Sequence, residues 1–246
     1  LERNGKAERQ AGRNTFISTH EAADIGRIKA VLKRSKLMVR VNPFQPANPA
    51  AAEAEITEVL AQGADLIMLP MFNNADELRG FAKLLNGRAP LVPLLETKGA
   101  LASLDEWIAT PGLCEVFVGL NDLHLSLGCS FMFEPLALGH VEKVAVAARR
   151  HGLRFGFGGI ARLGEGLLAG RDVLAEHVRL GSQAVILSRT FNRVGEGETF
   201  EDAVAGLRSA ERTLAARTNA EMLADSAHAS ALIAQLAAQA RDRAAA

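Results

Sequence analysis

Leu94-Leu95-Glu96-Thr97 and Gly119-Leu120-Asn121-Asp122-Leu123 are the stretches that decide the fold of this chain. Val92, Leu94 and Leu95 run into Glu96, while Val116, Phe117 and Val118 run toward Asp122. Short apolar runs of this kind read as strands buried on both faces, as parallel sheets require. A carboxylate where such a strand leaves the core stands at the rim of a cavity. Two of them suit a hard divalent cation, which takes oxygen ligands. Glu96 and Asp122 are 26 residues apart, about one strand–helix–return unit. The spacing predicts the two acids side by side at the same end of neighbouring parallel strands.

The pattern extends outward. Arg40 ends Leu37-Met38-Val39, and Pro70 ends Leu66-Ile67-Met68-Leu69; the steps from Arg40 to Pro70 and from Pro70 to Glu96 are 30 and 26 residues. Gly63, Gly87, Gly152 and Gly181 each follow a helical pattern and precede an apolar run. Glycine just past a helix end tolerates the left-handed closing conformation. Helix, Gly, strand, repeated, is the grammar of consecutive βα units. It predicts parallel strands near Leu37–Arg40, Leu66–Leu69, Leu91–Leu95, Val116–Gly119, Leu153–Phe157 and Ala184–Leu187, with helices between them.

A chain of 246 residues suffices for one large α/β domain, and barrels of this type run to about 250. Lys plus Arg and Asp plus Glu each total 28, and no basic stripe with interleaved aromatics occurs, which argues against nucleic acid. With no apolar run of membrane-spanning length and no visible leader, the expected setting is the cytoplasm, away from the membrane. Cys114 and Cys129 fit a reducing compartment as structural thiols.

Val39-Arg40-Val41-Asn42-Pro43, Gly63-Ala64-Asp65 with Leu69-Pro70, Leu95-Glu96-Thr97 with Ala100-Leu101, and Gly119-Leu120-Asn121-Asp122-Leu123 occur in this order. Together they resemble the successive signatures of the HpcH/HpaI aldolase and citrate lyase beta-subunit family, nearest to its aldolase-like members. The likeness continues more weakly through Gly156-Phe157-Gly158-Gly159 and Ile186-Leu187-Ser188-Arg189. It implies a (β/α)8 TIM barrel of the phosphoenolpyruvate/pyruvate type that makes or breaks carbon–carbon bonds beside a carbonyl with Mg2+ or Mn2+. Leu1-Glu2, followed by Lys6 and Arg9, resembles what comes directly after the family's second strand. By that alignment the first strand–helix unit is missing, and an Asp and a further βα unit are expected upstream of Leu1. Residues 1–193 then form the catalytic barrel and 194–246 a helical extension. In that extension Met222, Leu223, Leu232, Ile233 and Leu236 form an apolar face that needs a partner, either the barrel or a second subunit.

Cleaving a carbon–carbon bond leaves an electron pair that an enolate of a 2-oxo acid stores well, and a chelated divalent cation stabilises the developing oxyanion. On the residues alone, Glu96 and Asp122 serve equally as metal ligands or as strand-end acids that pair with Lys98 or cap a helix; the resemblance implies ligation. Arg40 offers a planar fork of donors for a carboxylate or enolate oxygen, with a salt bridge to a barrel glutamate such as Glu96 as the structural reading. Gly119, Leu120 and Asn121 join Arg40 as substrate-binding candidates. His20 is a candidate proton-transfer residue, although relatives place a histidine where this chain has Arg3. His124 is a second candidate or an orderer of its loop, and Glu2 a partner for metal waters or base. Gly156-Phe157-Gly158-Gly159 lacks nucleotide-fingerprint spacing and reads as close backbone approach to the substrate. Phe131, Met132 and Phe133 read as packing.

Three functions follow. The first is a class II, metal-dependent aldolase joining pyruvate or a close relative to an aldehyde, as a homo-oligomer. The second is a citrate-lyase-like enzyme acting on a coenzyme A thioester. The third is a catalytically silent barrel fragment.

Overall fold

Apolar runs that stop at a charged or polar residue become the strands of this α/β protein. The computed structural model describes residues 1–2, 19–193 and 199–245. It comprises two compact units, Leu1–Val116 and Phe117–Ala246. Arg3, Lys6, Arg9 and residues 16–18 lie outside the described residues.

The first unit alternates helix and strand: α1 (Ala22–Val31), β1 (Met38–Arg40), α2 (Pro49–Ala61), β2 (Leu66–Leu69), α3 (Ala75–Leu85), β3 (Leu91–Leu95), α4 (Lys98–Ala102), α5 (Leu104–Trp107) and the start of β4 (Glu115–Val118). β1 pairs parallel with β2, and β2 with β3, in a register that aligns Arg40, Met68 and Val92. Leu91 N–H donates to Gly112 O and Cys114 N–H to Leu91 O, so the run into β4 lies parallel alongside β3. The core is built from Val39, Ile67, Leu69, Leu91 and Leu95, all buried. Helix α3 shows how the sequence seals it. Asn74 caps its first turn by accepting Glu77 N–H at 2.9 Å, and Leu78, Phe81 and Leu85 form one buried stripe.

The second unit contains α6 (Leu120–Ser126), α7 (Glu134–Ala137), α8 (His140–Arg150), β5 (Arg154–Ile160), α9 (Gly170–Leu180), β6 (Ala184–Leu187), a 3-10 turn over Arg189–Asn192, α10 (Phe200–Ala215) and α11 (Asn219–Ala245). β5 and β6 are parallel. In α11, Ala229, Ile233 and Ala237 recur every fourth residue and are buried, and the helix packs on α7 and α9. Leu223, expected on that face, is exposed.

Every expected strand is present, with ends shifted by a residue or two. The exception in length is β5, which reaches Ile160 through a register shift between Gly156 and Gly159. Gly63, Gly87, Gly152 and Gly181 all have positive φ, as the helix–Gly–strand grammar requires. Phe131 and Phe133 are buried with their rings 5.6 Å apart, the packing role read from the sequence. No described helix is long and apolar enough to cross a membrane.

Candidate active site

In the first unit the carboxyl ends of the parallel strands gather Arg40, the Pro70–Asn74 loop and Glu96. Glu96 follows β3 directly and is 3% exposed. Its Oε1 accepts Met71 N–H at 3.0 Å. Met71 has φ +56, in the left-handed region that a side chain of this size rarely enters. The next residue, Thr97, fixes the other side of the same loop: its Oγ1 donates to Phe72 O at 2.7 Å and accepts Ala100 N–H at 3.0 Å. Thr97 is thus the cap of α4, so the helix-capping reading of Glu96 gives way. Phe72 meets Trp107 edge to face at 5.2 Å, and Trp107 Nε1 donates to Ala100 O at 2.8 Å. Gly99 lies so near Asn73 O that a β-carbon there would collide with it.

Arg40 pairs with Glu2, Nε to Oε2 at 3.1 Å; the Glu2 side chain is 2% exposed and that of Arg40 36%. The expected salt bridge of Arg40 therefore has Glu2 as its acid, 38 residues back in the chain. Such a pair leaves the remaining guanidinium donors to meet an anion, a geometry Lys cannot copy. Two residues on, Asn42 donates its backbone N–H (3.1 and 3.2 Å) and side-chain amide (2.8 Å) to the Glu55 carboxylate. Burial pushes the Glu55 carboxyl up, against the lowering effect of those hydrogen bonds. A cleft of about 720 Å³ opens here, lined by Asn42, Gln45, Asn48, Glu55 and Glu58. His20 is exposed just before α1, near Asp24. Asp65 of the Gly63-Ala64-Asp65 signature is structural: it binds Lys29 Nζ and Leu37 N–H, which hold its carboxyl below the usual range, the lysine contact foremost.

In the second unit Asp122 stands half-buried in the first turn of α6, beside half-buried Asn121 and Gly119. The Leu120 side chain is buried and faces Gly158, where a β-carbon would approach it to 2.9 Å; only the Leu120 backbone can serve a ligand. His124 is 6% exposed, with Nδ1 on Leu120 O at 3.0 Å. A carbonyl only accepts, so that nitrogen carries the proton. The glycines of β5 approach protein, not open space: a β-carbon on Gly156 would meet Ala184 O at 2.6 Å and Phe117 Cε2 at 2.8 Å. This corrects the expectation of substrate approach with a packing role at the bulge.

His177 of α9 went unremarked in the sequence. It is 5% exposed, stacked on Phe157 at 3.7 Å, and its Nδ1 meets Ser182 Oγ at 2.8 Å. Burial pushes its pKa down to about 3. A lone histidine on an amphipathic helix gives no signal of such a fate, nor does Pro70-Met71 announce a left-handed residue.

Residues 8–157 match the HpcH/HpaI aldolase/citrate lyase family. The chain belongs to that family. Over 77 residues it is 38% identical to a hydroxypyruvate/pyruvate aldolase of Rhizorhabdus wittichii, a match covering 28% of this chain and 31% of that relative. The match thus spans about a third of the relative's length. Among solved structures, the HpcH/HpaI aldolase of Desulfitobacterium hafniense superposes with a TM-score of 0.55 at 20% identity, covering 73% of this chain and 78% of that one. The citrate lyase beta subunit of M. tuberculosis, complexed with oxaloacetate and magnesium, gives 0.51 at 19% identity, with 71% and 72% covered. At such identities these structures establish shared fold.

Glu96 in the first unit, buried at a strand end, and Asp122 in the second each carry a carboxylate, the ligand type a hard cation takes. Among the described residues no group of three or more His, Cys, Asp or Glu could hold a metal. Few protein ligands, with water and substrate completing the shell, is how Mg2+ is ordinarily bound.

Proposed function

We propose that this chain is a divalent-metal-dependent carbon–carbon lyase, a class II aldolase that forms or cleaves a bond beside the carbonyl of a 2-oxo acid such as pyruvate. Glu96 and Asp122 are assigned to a Mg2+ or Mn2+ ion, which when bound would supply Lewis-acid stabilisation of the developing oxyanion. Arg40, steadied by Glu2, binds the substrate carboxylate through its fork of donors. Backbone and side-chain polar groups of Gly119, Leu120 and Asn121 orient the substrate. In the cleavage direction, a base takes the proton from the hydroxyl of a 4-hydroxy-2-oxo acid, the C3–C4 bond breaks, and an aldehyde leaves. The electron pair rests in the pyruvate enolate, which takes a proton at C3. His20 is assigned the proton transfer; His124 orders α6. We extend the reading to a fold of the (β/α)8 barrel type, with residues 1–193 catalytic and 194–246 an added helical region. A cytoplasmic homo-oligomer is the expected state.

One observation carries this reading: Glu96 is a carboxylate buried at the end of a parallel strand and held there by an amide from the preceding strand's loop. Family membership and the aldolase name of the partial relative support the reaction class. The test incubates the whole chain with Mn2+ and pyruvate or oxaloacetate against a panel of aldehydes, read by mass spectrometry. Adducts that vanish with chelator are expected. Turnover of coenzyme A thioesters alone would favour the citrate-lyase-like alternative, and no product in either arm would sink both.

A further inference from the structure

We propose that Met71 is a positioning residue whose left-handed backbone aims its N–H at Glu96 and so fixes the orientation of that carboxylate. The inference rests on the metal reading above for its consequence, but its geometry is independent of it. Among the described residues two non-glycine positions have positive φ, Met71 at +56 and Asn86 at +49. Asn86 closes helix α3 in the left-handed cap that asparagine tolerates well. Met71 ends no helix, and methionine has no side-chain reason to adopt this conformation. What the conformation yields is the hydrogen bond to Glu96 Oε1 at 3.0 Å, between residues 25 apart in sequence.

Both flanks of Met71 are fixed. Upstream, Leu69 is buried in β2. Downstream, Phe72 is 1% exposed, accepts the Thr97 hydroxyl at 2.7 Å and lies against Trp107. With both ends held, a residue forced to negative φ must rotate the Pro70–Met71 peptide and take its N–H off Glu96. The Met71 side chain is itself only half-buried, so replacing it opens no hole in the core. Residues in such sparsely populated conformations persist where surrounding structure overdetermines them, and here the surroundings converge on one acid.

The test separates backbone from side chain. Met71→Val strongly disfavours positive φ, whereas Met71→Gly permits it and keeps the N–H. Calorimetric Mn2+ binding to the whole chain should weaken about tenfold or more in Met71→Val, the range for lost support of a metal ligand, and stay within about threefold in Met71→Gly. Where Glu96→Ala weakens Mn2+ binding, wild-type affinity in Met71→Val, or equal loss in both Met71 variants, would overturn the proposal. Metal-free hydrogen exchange supplies the second measurement. Exchange at the Met71 amide should quicken at least about tenfold in Glu96→Ala, a loss of protection expected when the acceptor is removed. An unchanged rate overturns the proposal. Unchanged Mn2+ affinity in Glu96→Ala means that the metal reading fails; faster exchange in the same variant still supports the positioning of Glu96.

Discussion

The two acids that bracket the fold reading are held by different means in their two units. Glu96 is steadied from elsewhere in the chain: Met71 reaches it from the loop after β2, and its neighbour Thr97 is tied to Phe72. Arg40 depends likewise on Glu2. Asp122 sits in a seven-residue helix organised by near neighbours, with Leu123 N–H on Gly119 O, His124 Nδ1 on Leu120 O and Cys129 N–H on His124 O. Contacts from distant parts of the chain thus hold Glu96 and Arg40 in the first unit, while the helix that carries Asp122 is tied together by its own turns. Loops that converge on one side chain restrict it more, and transmit damage to it more readily.

The largest expected effect is common to both units. On the proposed metal site, removing either carboxylate would take away a ligand and the charge that holds the cation. Glu96→Ala and Asp122→Ala should each lower Mn2+-dependent kcat/KM about a thousandfold or more, the several kcal/mol attributed to Lewis-acid catalysis. Circular dichroism should be unchanged. A variant with wild-type Mn2+ affinity would remove its acid from the comparison.

Arg40→Lys comes next. A lysine can still face the buried Glu2 carboxylate but offers a point charge where the proposed substrate contact needs a fork. A drop in kcat/KM of about a hundredfold is expected, typical for one lost oriented donor, with little change in melting temperature. A large fall in melting temperature instead would make Arg40 chiefly the counterion of Glu2.

A matched pair of glycines sharpens the contrast between the units. In Gly99→Ala the new methyl meets Asn73 O; in Gly156→Ala it meets Ala184 O and the Phe117 ring. Each should lose about 1–3 kcal/mol of stability from overpacking, read by urea unfolding. Only Gly99→Ala should also weaken Mn2+ binding, because Asn73 belongs to the loop that orients Glu96. Equal effects on metal binding would erase the difference between loop-held and helix-held acids.

How legible each unit was follows from the range of its signals. The strands were readable because an apolar run is a local property, and Gly63 or Gly181 at a helix end is a local necessity. Arg40 and Glu96 stood out as charges closing such runs. Their pairings did not: Glu2, singled out for another role, and Met71 lie 38 and 25 residues away, and nothing in Leu1-Glu2 or Pro70-Met71 encodes the meeting. The β5 glycines were visible, but whether they approach ligand or protein depends on Ala184, Phe117 and Leu120 from other elements. The pair formed by Asn42 and Glu55 was hidden for the same reason, an acid within an alanine-rich helix meeting a loop that only the fold brings near.

The smallest effect expected belongs to the second unit and tests its packing apart from any metal. His177 is neutral in the folded chain, its pKa pushed down to about 3 by burial, while an unfolded histidine takes a proton near 6.5. The unfolded state therefore binds more protons between those values, and stability falls as pH is lowered from about 6.5 toward 3. Above about pH 7 the group costs nothing. Through the middle of the window the slope approaches about 1.4 kcal/mol per pH unit, one proton's worth. His177→Phe keeps a flat ring against Phe157 and leaves the Ser182 hydroxyl with Ala184 O at 3.1 Å. Urea unfolding between pH 4.5 and 6 should then show a pH slope shallower by about one proton than in the wild type. All other groups are common to both chains and cancel in the difference. Parallel slopes would mean that His177 meets water in the folded state, and that the second unit is looser around α9 and β6 than its stacked, buried ring implies.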